Sequence, residues 1–206
     1  MTPAEAVALV LSYLIGAIPT SYLAGKLFRG IDLREHGSKN LGATNVFRIM
    51  GWKFAVPVAL IDMAKGAVPV LVLGPAVSTN DLFPLLCGVL AVVGHVFSVF
   101  VGFKGGKGVA TSAGVVLGMA PLAVGLCLLV WLALVWLTGY VSVGSVSAAA
   151  LFPAAVWMLY PDRRPTIWIY LLLAAVIVWM HRANIARLRA GTENRFGRRA
   201  KPTGAG

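Results

Sequence analysis

The chain has 206 residues, of which 59% are hydrophobic and only 12% charged, and its mean hydropathy is +0.84. Soluble domains carry about 25% charged residues, so this composition excludes a soluble globular protein and indicates a polytopic membrane protein with a single domain over 1–206. The formal net charge of +11 suits the excess of Lys and Arg on the cytoplasmic side of membrane proteins, and we expect no nucleic-acid partner.

Seven apolar stretches are predicted as helices. A spanning helix needs about 20 mostly apolar residues, and all but one of the stretches approach that length. The stretches lie at about 4–28, 52–74, 83–102, 107–120, 121–140, 142–160 and 165–187. The first follows an N-terminus without Lys or Arg, so we expect a retained helix rather than a cleaved signal peptide.

The basic residues decide whether the short piece at 107–120 crosses the membrane. With seven crossings and the N-terminus outside, every Lys and Arg except Lys65, Arg163 and Arg164 lies on the cytoplasmic side. If the short piece turned back, the basic C-terminal tail would lie outside, against the positive-inside tendency. We therefore predict an all-α protein with seven transmembrane helices, the N-terminus outside and the C-terminus in the cytoplasm.

The segment 102–111 combines four glycines with two lysines. Glycine lets backbone N–H groups approach a ligand, lysine adds positive charge, and a helix N-terminus attracts anions. The segment is not a Walker A loop, because Val101 replaces its first glycine and Gly108 replaces the Ser or Thr after the lysine. An anion site and an ordinary basic loop both remain open. The candidate ligands of an anion are Lys104, Gly105, Gly106, Lys107 and Gly108.

Two further polar segments fall on the same predicted face. The loop at 29–51 is rich in hydroxyl and amide groups, and its arginine can hold phosphate in a bidentate manner. Its candidate residues are Gly37, Ser38, Asn40, Gly42, Ala43, Thr44, Asn45 and Arg48. A solvated loop, or a cap on a helix that begins near Val46, is the alternative interpretation. In the other segment His181 and Asn184 share one helix face, with Glu193 beyond them.

Several polar residues lie inside the apolar stretches. Asp62 and Lys65 share a helix face, and they are either functional or a structural pair. His95 is a candidate ligand or base, although satisfaction by a neighbouring helix is the commoner role. Ser145, with its neighbouring serines, is most simply explained by close helix packing. Cys87 and Cys127 lie in apolar runs, and we expect neither a disulfide nor a metal site.

Taken together, these motifs resemble the PlsY family of bacterial acyl-phosphate:glycerol-3-phosphate acyltransferases. The matching segments, in the family's order, are 12–22, 37–45, 62–66, 94–111 and 181–185 with 191–193. The resemblance implies a seven-helix enzyme of the bacterial plasma membrane with its active site on the cytoplasmic side. That enzyme transfers a fatty acyl group from acyl phosphate to the 1-hydroxyl of glycerol 3-phosphate, the first acylation of phospholipid synthesis. Lys39 departs from the family, which more usually has a glycine or another small residue there.

The resemblance also implies roles for individual residues. Ser38, Arg48, Lys107, His181 and Asn184 form the catalytic set, and Ser145 joins them in holding phosphate. Lys104, Asn45 and Glu193 help to hold glycerol phosphate, within a pocket formed by the two glycine-rich loops. No cofactor or metal is implied, and the oligomeric state is left open, a monomer included.

The chemistry expected of such residues needs no protein base. The positions five after the histidines hold Leu41, Phe100 and Ala186, so the His-x4-Asp dyad of other acyltransferases is missing. Our hypothesis is that the donor's own phosphate takes the hydroxyl proton. Arg48, Lys107 and His181 would then stabilise the charge of that phosphate, while Ser38 and Asn184 orient donor and acceptor.

The alternative function is a small transporter or channel for a phosphorylated anion. Asp62 and Lys65 inside a span, and a discontinuous helix near Pro121, would suit that function. A transporter site lies near the bilayer midplane, however, whereas most polar motifs here lie on the cytoplasmic face. The positions of the motifs therefore favour the acyltransferase.

Overall fold

The structure is a computed structural model that describes residues 1–196, and those residues form helices and connecting turns without a strand. Arg198, Arg199 and Lys201, which belong to the predicted cytoplasmic tail, lie outside the described residues. The helices are α1 Pro3–Ala17, α2 Thr20–Arg29, α3 Ala43–Met50, α4 Trp52–Val77, α5 Phe83–Val96, α6 Val109–Leu117, α7 Pro121–Thr138, α8 Val141–Leu159, α9 Ile167–Met180 and α10 Arg182–Arg189. Short 3-10 turns cover Val99–Val101 and Pro161–Thr166, and part of α4 is π-helical.

The predicted all-helical membrane architecture is confirmed at this level. Five helices in the described range are long and apolar enough to cross a membrane, or six if α1 and α2, bent by 40°, form one span. The short helix predicted at 107–120 shrinks to nine residues in α6. Nine residues rise only about 14 Å, against a hydrocarbon core of about 30 Å.

Two of the predicted helices are interrupted, so the prediction of continuous helices over 4–28 and 165–187 is wrong at these points. Pro19 cannot donate a backbone hydrogen bond and disfavours helical geometry in Ile18, whose ψ is 116°. His181 separates α9 from α10, and its ring nitrogen Nδ1 lies 2.8 Å from the Ile177 carbonyl oxygen. Helix α7 ends at Thr138, and Gly139 follows it in the left-handed conformation, with φ of 74°.

Glycines set the close approach of the helices around the centre of the molecule. A Cβ atom on Gly66 of α4 would overlap the Thr111 carbonyl of α6, and one on Gly114 would overlap the Met63 carbonyl of α4. Small residues let membrane helices approach until their backbones touch. This reciprocal contact fixes α6 against α4, and the glycine-rich loop that precedes α6 is held at a defined place.

Candidate active site

A cavity of about 660 Å³ lies among α3, α4 and α6–α9 and is bordered at one end by α10 and the segment that follows it. One end is lined by polar and cationic side chains, whereas the remainder is lined by Val, Leu, Ala and aromatic side chains. Small-molecule sites are commonly of this size, mostly apolar, with a few converging polar groups. The cavity can therefore hold a ligand with a polar head and a long apolar part.

Most of the predicted site residues line this cavity. Those that do so are Ser38, Asn40, Gly42, Ala43, Thr44, Asn45, Arg48, Lys107, Gly108, Ser145, His181, Asn184 and Glu193. They come from four separate stretches of the chain, which the fold brings to the polar end. Gly37, Lys104, Gly105 and Gly106 are not part of the lining.

The glycines outside the lining support the two loops. Gly37 has φ of 60° and lies against the Asn45 side chain, so a Cβ atom there would be both strained and crowded. Gly105 and Gly106 pack against His95, and their N–H groups donate to the Val96 and His95 carbonyls at 3.0 and 3.1 Å. Lys104, in contrast, is exposed at the surface.

Asn45 organises the first loop with all of its side-chain polar groups. Its Oδ1 accepts the Ser38 N–H at 2.8 Å, and its Nδ2 donates to the carbonyls of Leu33 at 3.1 Å and His36 at 3.0 Å. The side chain is 1% exposed. Asn45 therefore holds the loop in shape, and its neighbours Ser38 and Arg48 are placed at the cavity.

Lys39, the departure from the family pattern, adopts φ of 57° in this loop. The left-handed region costs a residue with a Cβ atom about 1–2 kcal/mol and suits glycine. The backbone of the loop thus requires the geometry for which glycine is best suited, and Lys39 adopts it nonetheless.

Glu193 is the hub of the polar network at the end of the cavity. Its Oε1 accepts Ser142 Oγ at 3.0 Å and Asn184 Nδ2 at 2.6 Å, and its Oε2 accepts Arg187 Nε at 2.6 Å. Burial alone would raise the pKa of Glu193, but these hydrogen bonds outweigh burial and lower it. Glu193 is thus an ionised carboxylate that is occupied by protein donors.

Lys107 is bound to this hub through Asn184, whose Oδ1 accepts a hydrogen bond from the Lys107 ammonium. Burial, with the charges of Arg187 and Arg48 in support and Glu193 in opposition, lowers the pKa of Lys107 to about 8. Asn184 therefore uses both ends of its amide within the protein and fixes where the Lys107 charge lies.

Arg48 is the second cation at the cavity. Its Nε is buried and has no hydrogen-bond partner within residues 1–196, and burial lowers its pKa. Glu193 already pairs with Arg187, so neither Arg48 nor Lys107 has a carboxylate within salt-bridge distance in the described chain. Two half-buried positive charges without a carboxylate partner among the described residues favour an anionic ligand.

His181 lies at the cavity in its neutral form. Burial, together with the charge of Lys107, lowers its pKa to about 4. The Ile177 carbonyl can only accept, so Nδ1 carries the proton and Nε2 has a free lone pair. In this form His181 offers its Nε2 lone pair to the cavity as a hydrogen-bond acceptor, and its expected part in stabilising the phosphate charge stays a prediction.

The intramembrane residues form a network of their own beside the cavity. Lys65 Nζ lies 2.8 Å from Asp62 Oδ1, 2.7 Å from the Ile18 carbonyl and 3.2 Å from His95 Nδ1. Thr20 Oγ1 donates to Asp62 at 2.8 Å. Asp62 and His95 reach the cavity wall, but these polar groups are paired with one another, which is the structural interpretation of the motif.

Sequence reasoning missed part of the wall. The sequence favours helix packing for the serines beside Ser145, yet Ser142 donates to Glu193 at 3.0 Å. Trp131 lines the cavity and donates to Ser145 Oγ at 3.2 Å. A serine and a tryptophan inside apolar spans carry no motif. The one available signal was the polar face of α8, where Ser142 and Ser145 lie three residues apart.

The polar end can bind phosphate, and the apolar part can bind a hydrocarbon chain. Among residues 1–196 no group of three His, Cys, Asp or Glu side chains is placed to hold a metal ion. The fold and the site together define an integral membrane protein that handles phosphorylated, lipid-like molecules.

Comparisons with known proteins give the family. The family model described as glycerol-3-phosphate acyltransferase matches residues 6–191. The glycerol-3-phosphate acyltransferases of Chlorobaculum parvum and Chlorobaculum tepidum are each 44% identical, over 93% of this chain and 97% of theirs. The chain belongs to the glycerol-3-phosphate acyltransferase family, and it is a membrane acyltransferase.

Two solved structures are similar throughout. A crystal structure of PlsY, an integral membrane glycerol 3-phosphate acyltransferase, in its glycerol 3-phosphate form matches with a TM-score of 0.88 at 36% identity. It covers 94% of this chain and 96% of that one. The form with lysophosphatidic acid matches with a TM-score of 0.84, also at 36% identity. The resemblance to the PlsY family is thereby confirmed.

Proposed function

We propose that the protein transfers a fatty acyl group from acyl phosphate to the 1-hydroxyl of glycerol 3-phosphate, with 1-acylglycerol 3-phosphate and phosphate as products. The observation that carries the proposal is the cavity itself, which joins two uncompensated cations, Arg48 and Lys107, to a long apolar slot. Both substrates carry phosphate and one carries a hydrocarbon chain. The related PlsY structures hold glycerol 3-phosphate and lysophosphatidic acid, which fit the same division.

In the proposed step the acceptor hydroxyl oxygen attacks the carbonyl carbon of the donor. The bond between that carbon and the phosphate oxygen breaks, and its electron pair stays on the phosphate. The hydroxyl proton passes to the departing phosphate. Lys107 and Arg48 stabilise the phosphate charges, while Ser38 and the His181 Nε2 lone pair orient the substrates.

The argument for the phosphate as proton acceptor comes from the neighbouring groups. The pKa of His181 is about 4, that of Glu193 is lowered, and the Glu193 oxygens already accept protein donors. The departing phosphate gains the bonding electron pair as the carbon–oxygen bond breaks, so it becomes a stronger base than either protein group. The donor phosphate is therefore the best acceptor at neutral pH.

We further propose seven crossings of the bacterial plasma membrane, with the active site on the cytoplasmic side. The distribution of Lys and Arg supports this topology. For α6, which has nine residues, crossing requires help from the flanking loops and from the close contact with α4. Non-helical backbone is tolerated at membrane depth where it is buried in protein or lines a cavity.

The transfer is tested with purified protein in detergent, acyl phosphate and glycerol 3-phosphate, by measuring lysophosphatidic acid and inorganic phosphate. We expect both products to form in equal amounts, and both to form about 100- to 1000-fold more slowly with Lys107→Ala. Glycerol in place of glycerol 3-phosphate, and an acyl thioester in place of acyl phosphate, are the controls. Transfer from the thioester without phosphate release from acyl phosphate would overturn the assignment of the donor.

The topology is tested by labelling single cysteines with a membrane-impermeant thiol reagent. Cys87 and Cys127 are first replaced by alanine, which both sites can accept because the thiols are small and buried. We expect Lys104→Cys to react only from the cytoplasmic side and Arg164→Cys only from outside. Labelling of both positions from the same side would mean that α6 does not complete a crossing.

A further inference from the structure

The apolar part of the cavity is a slot that runs along one face of α8 and one face of α9. On α8 the lining residues extend from Val141 and Ser142 to Phe152. On α9 and the break after it they extend from His181 back to Tyr170. The residues between recur every three or four positions, as on one helix face: Ser145, Ala148, Ala149, Leu173, Ala174 and Ile177. Each face thus passes from a polar residue to an aromatic one.

At its far end the lining of the slot changes from small side chains to large ones. Ala148, Ala149 and Ala174 leave room between the helices, whereas Phe152 and Tyr170 fill the space beyond them. The two rings lie edge to face, with centroids 5.7 Å apart at 72°. Such aromatic pairs attract each other beyond the area that they bury, so the pair is held in place.

The pair also has a solid backing. Tyr170 is 1% exposed and Phe152 9%, and behind them Val156 and Ile169 are 0% and 1% exposed within the same hydrophobic cluster. A chain that runs between α8 and α9 from the polar end meets the two rings and then the packed side chains beyond them. The Tyr170 hydroxyl has no hydrogen-bond partner within residues 1–196. The position of the ring is therefore set by its packing and not by a polar contact.

The depth of the slot corresponds to a definite chain length. Ten residues separate Ser142 from Phe152 and eleven separate Tyr170 from His181, which is about 15–16 Å at 1.5 Å per helical residue. An extended chain advances about 1.2 Å per bond, because the three backbone bonds of a residue span about 3.6 Å. About 13 bonds of an extended acyl chain therefore fit between the polar end and the aromatic pair.

We propose that Phe152 and Tyr170 form the stop that sets the longest acyl chain accepted in extended form. This inference rests on the proposed function, since it concerns the donor of that reaction. One methylene that a hydrophobic pocket cannot accommodate changes relative efficiency about 10- to 200-fold. The two aromatic residues are thus specificity-determining residues for the acyl donor.

The test is the chain-length profile of kcat/KM for a series of saturated acyl phosphates with glycerol 3-phosphate. We expect the efficiency of the wild type to rise up to about 14 carbons, matching the depth of the slot, and then to fall. In Tyr170→Ala and Phe152→Ala the optimum should move to longer chains, with the ratio of a chain about two methylenes longer to the original optimum rising about tenfold or more.

Three further variants separate the causes. Tyr170→Phe should keep the profile, because the ring and not the hydroxyl forms the stop. Leu171→Ala, on the same helix but 54% exposed on another face, should keep it too. Ala174→Leu fills the slot before the stop and should shift the optimum to shorter chains, which tests the inference even where an alanine variant fails to fold.

The outcomes are distinguishable. Active alanine variants with the wild-type profile would overturn the inference and leave the proposed function intact, as would an Ala174→Leu profile that does not shorten. A wild type that transfers no chain from acyl phosphate would overturn the proposed function and this inference with it.

Discussion

Lys107 is a half-buried cation whose proton should set the alkaline limit of activity. Burial, assisted by Arg187 and Arg48, lowers its pKa from 10.5 to about 8. At 1.36 kcal/mol for each pKa unit, this shift means that protonating Lys107 is about 3 kcal/mol less favourable than protonating a lysine in water. Because the pKa lies below its ordinary value, the charge is fully present below about pH 7 and is lost as pH rises through about 8.

The perturbation is Lys107→Arg, and the assay is phosphate release from acyl phosphate between about pH 6 and pH 10 at constant ionic strength. kcat/KM reports the ionisation of the free enzyme, so in the wild type it should fall about tenfold per pH unit above about 8. Arginine stays protonated throughout this range, so the fall should disappear, even if the absolute rate is lower. Spontaneous hydrolysis of the donor is subtracted from both.

Lys107→Ala measures how much the Lys107 charge contributes to catalysis. Removal of a preorganised charged donor should lower kcat about 100- to 1000-fold, while the thermal stability stays at or above that of the wild type because the cost of burying the ammonium is gone. A wild-type kcat/KM that stays flat to about pH 10, or an equal alkaline fall in Lys107→Arg, would refute this account of Lys107.

Other substitutions test the two loops and the hub. Asn45→Ala removes the three hydrogen bonds that shape the first loop, so we expect a loss of about 3 kcal/mol in unfolding free energy and a raised KM, measured by thermal unfolding in detergent and by initial rates. Lys39→Gly relieves the left-handed backbone and should keep activity with a gain of about 0.5 kcal/mol, whereas Lys39→Val should lower the Tm. Glu193→Gln removes the negative charge that pairs with Arg187 and weakens the hydrogen bond that Asn184 donates. We therefore expect kcat/KM to drop about 10- to 100-fold, and an unchanged rate would exclude this network from catalysis.

The helices could largely be predicted because apolar length and proline position are local signals. Pro121 marks the start of α7, as expected, and Pro19 could have been recognised as the break between α1 and α2. The break at His181 could not, since neither proline nor glycine stands there. Its geometry accompanies a hydrogen bond to the Ile177 carbonyl, and the sequence does not show which carbonyl a histidine will find.

Most of the polar residues that line the cavity could be predicted from the sequence, but the partner of each side chain could not. Asparagine, glutamate and lysine suit a ligand and a neighbouring side chain equally well, so the residue type at 45, 104 or 193 leaves both roles open. In the structure Asn45 and Glu193 bind protein groups, and Lys104 is exposed at the surface. Lys107 and Arg48 instead line the cavity as cations. That distinction depends on partners 6 to 51 residues away along the chain.

The same partners support the proposed acyl phosphate donor over an acyl thioester. Glu193 is occupied and ionised, His181 is a weak base, and Lys107 is protonated at neutral pH, so the polar end holds cations without a free base among the described residues. A thioester sulfur carries no charge before the bond breaks, so the two cations cannot bind and orient it as they can a phosphate. Phosphate leaves as a stable anion, meets two positive charges, and can take the hydroxyl proton itself. The arrangement of charges therefore favours a donor that brings its own base.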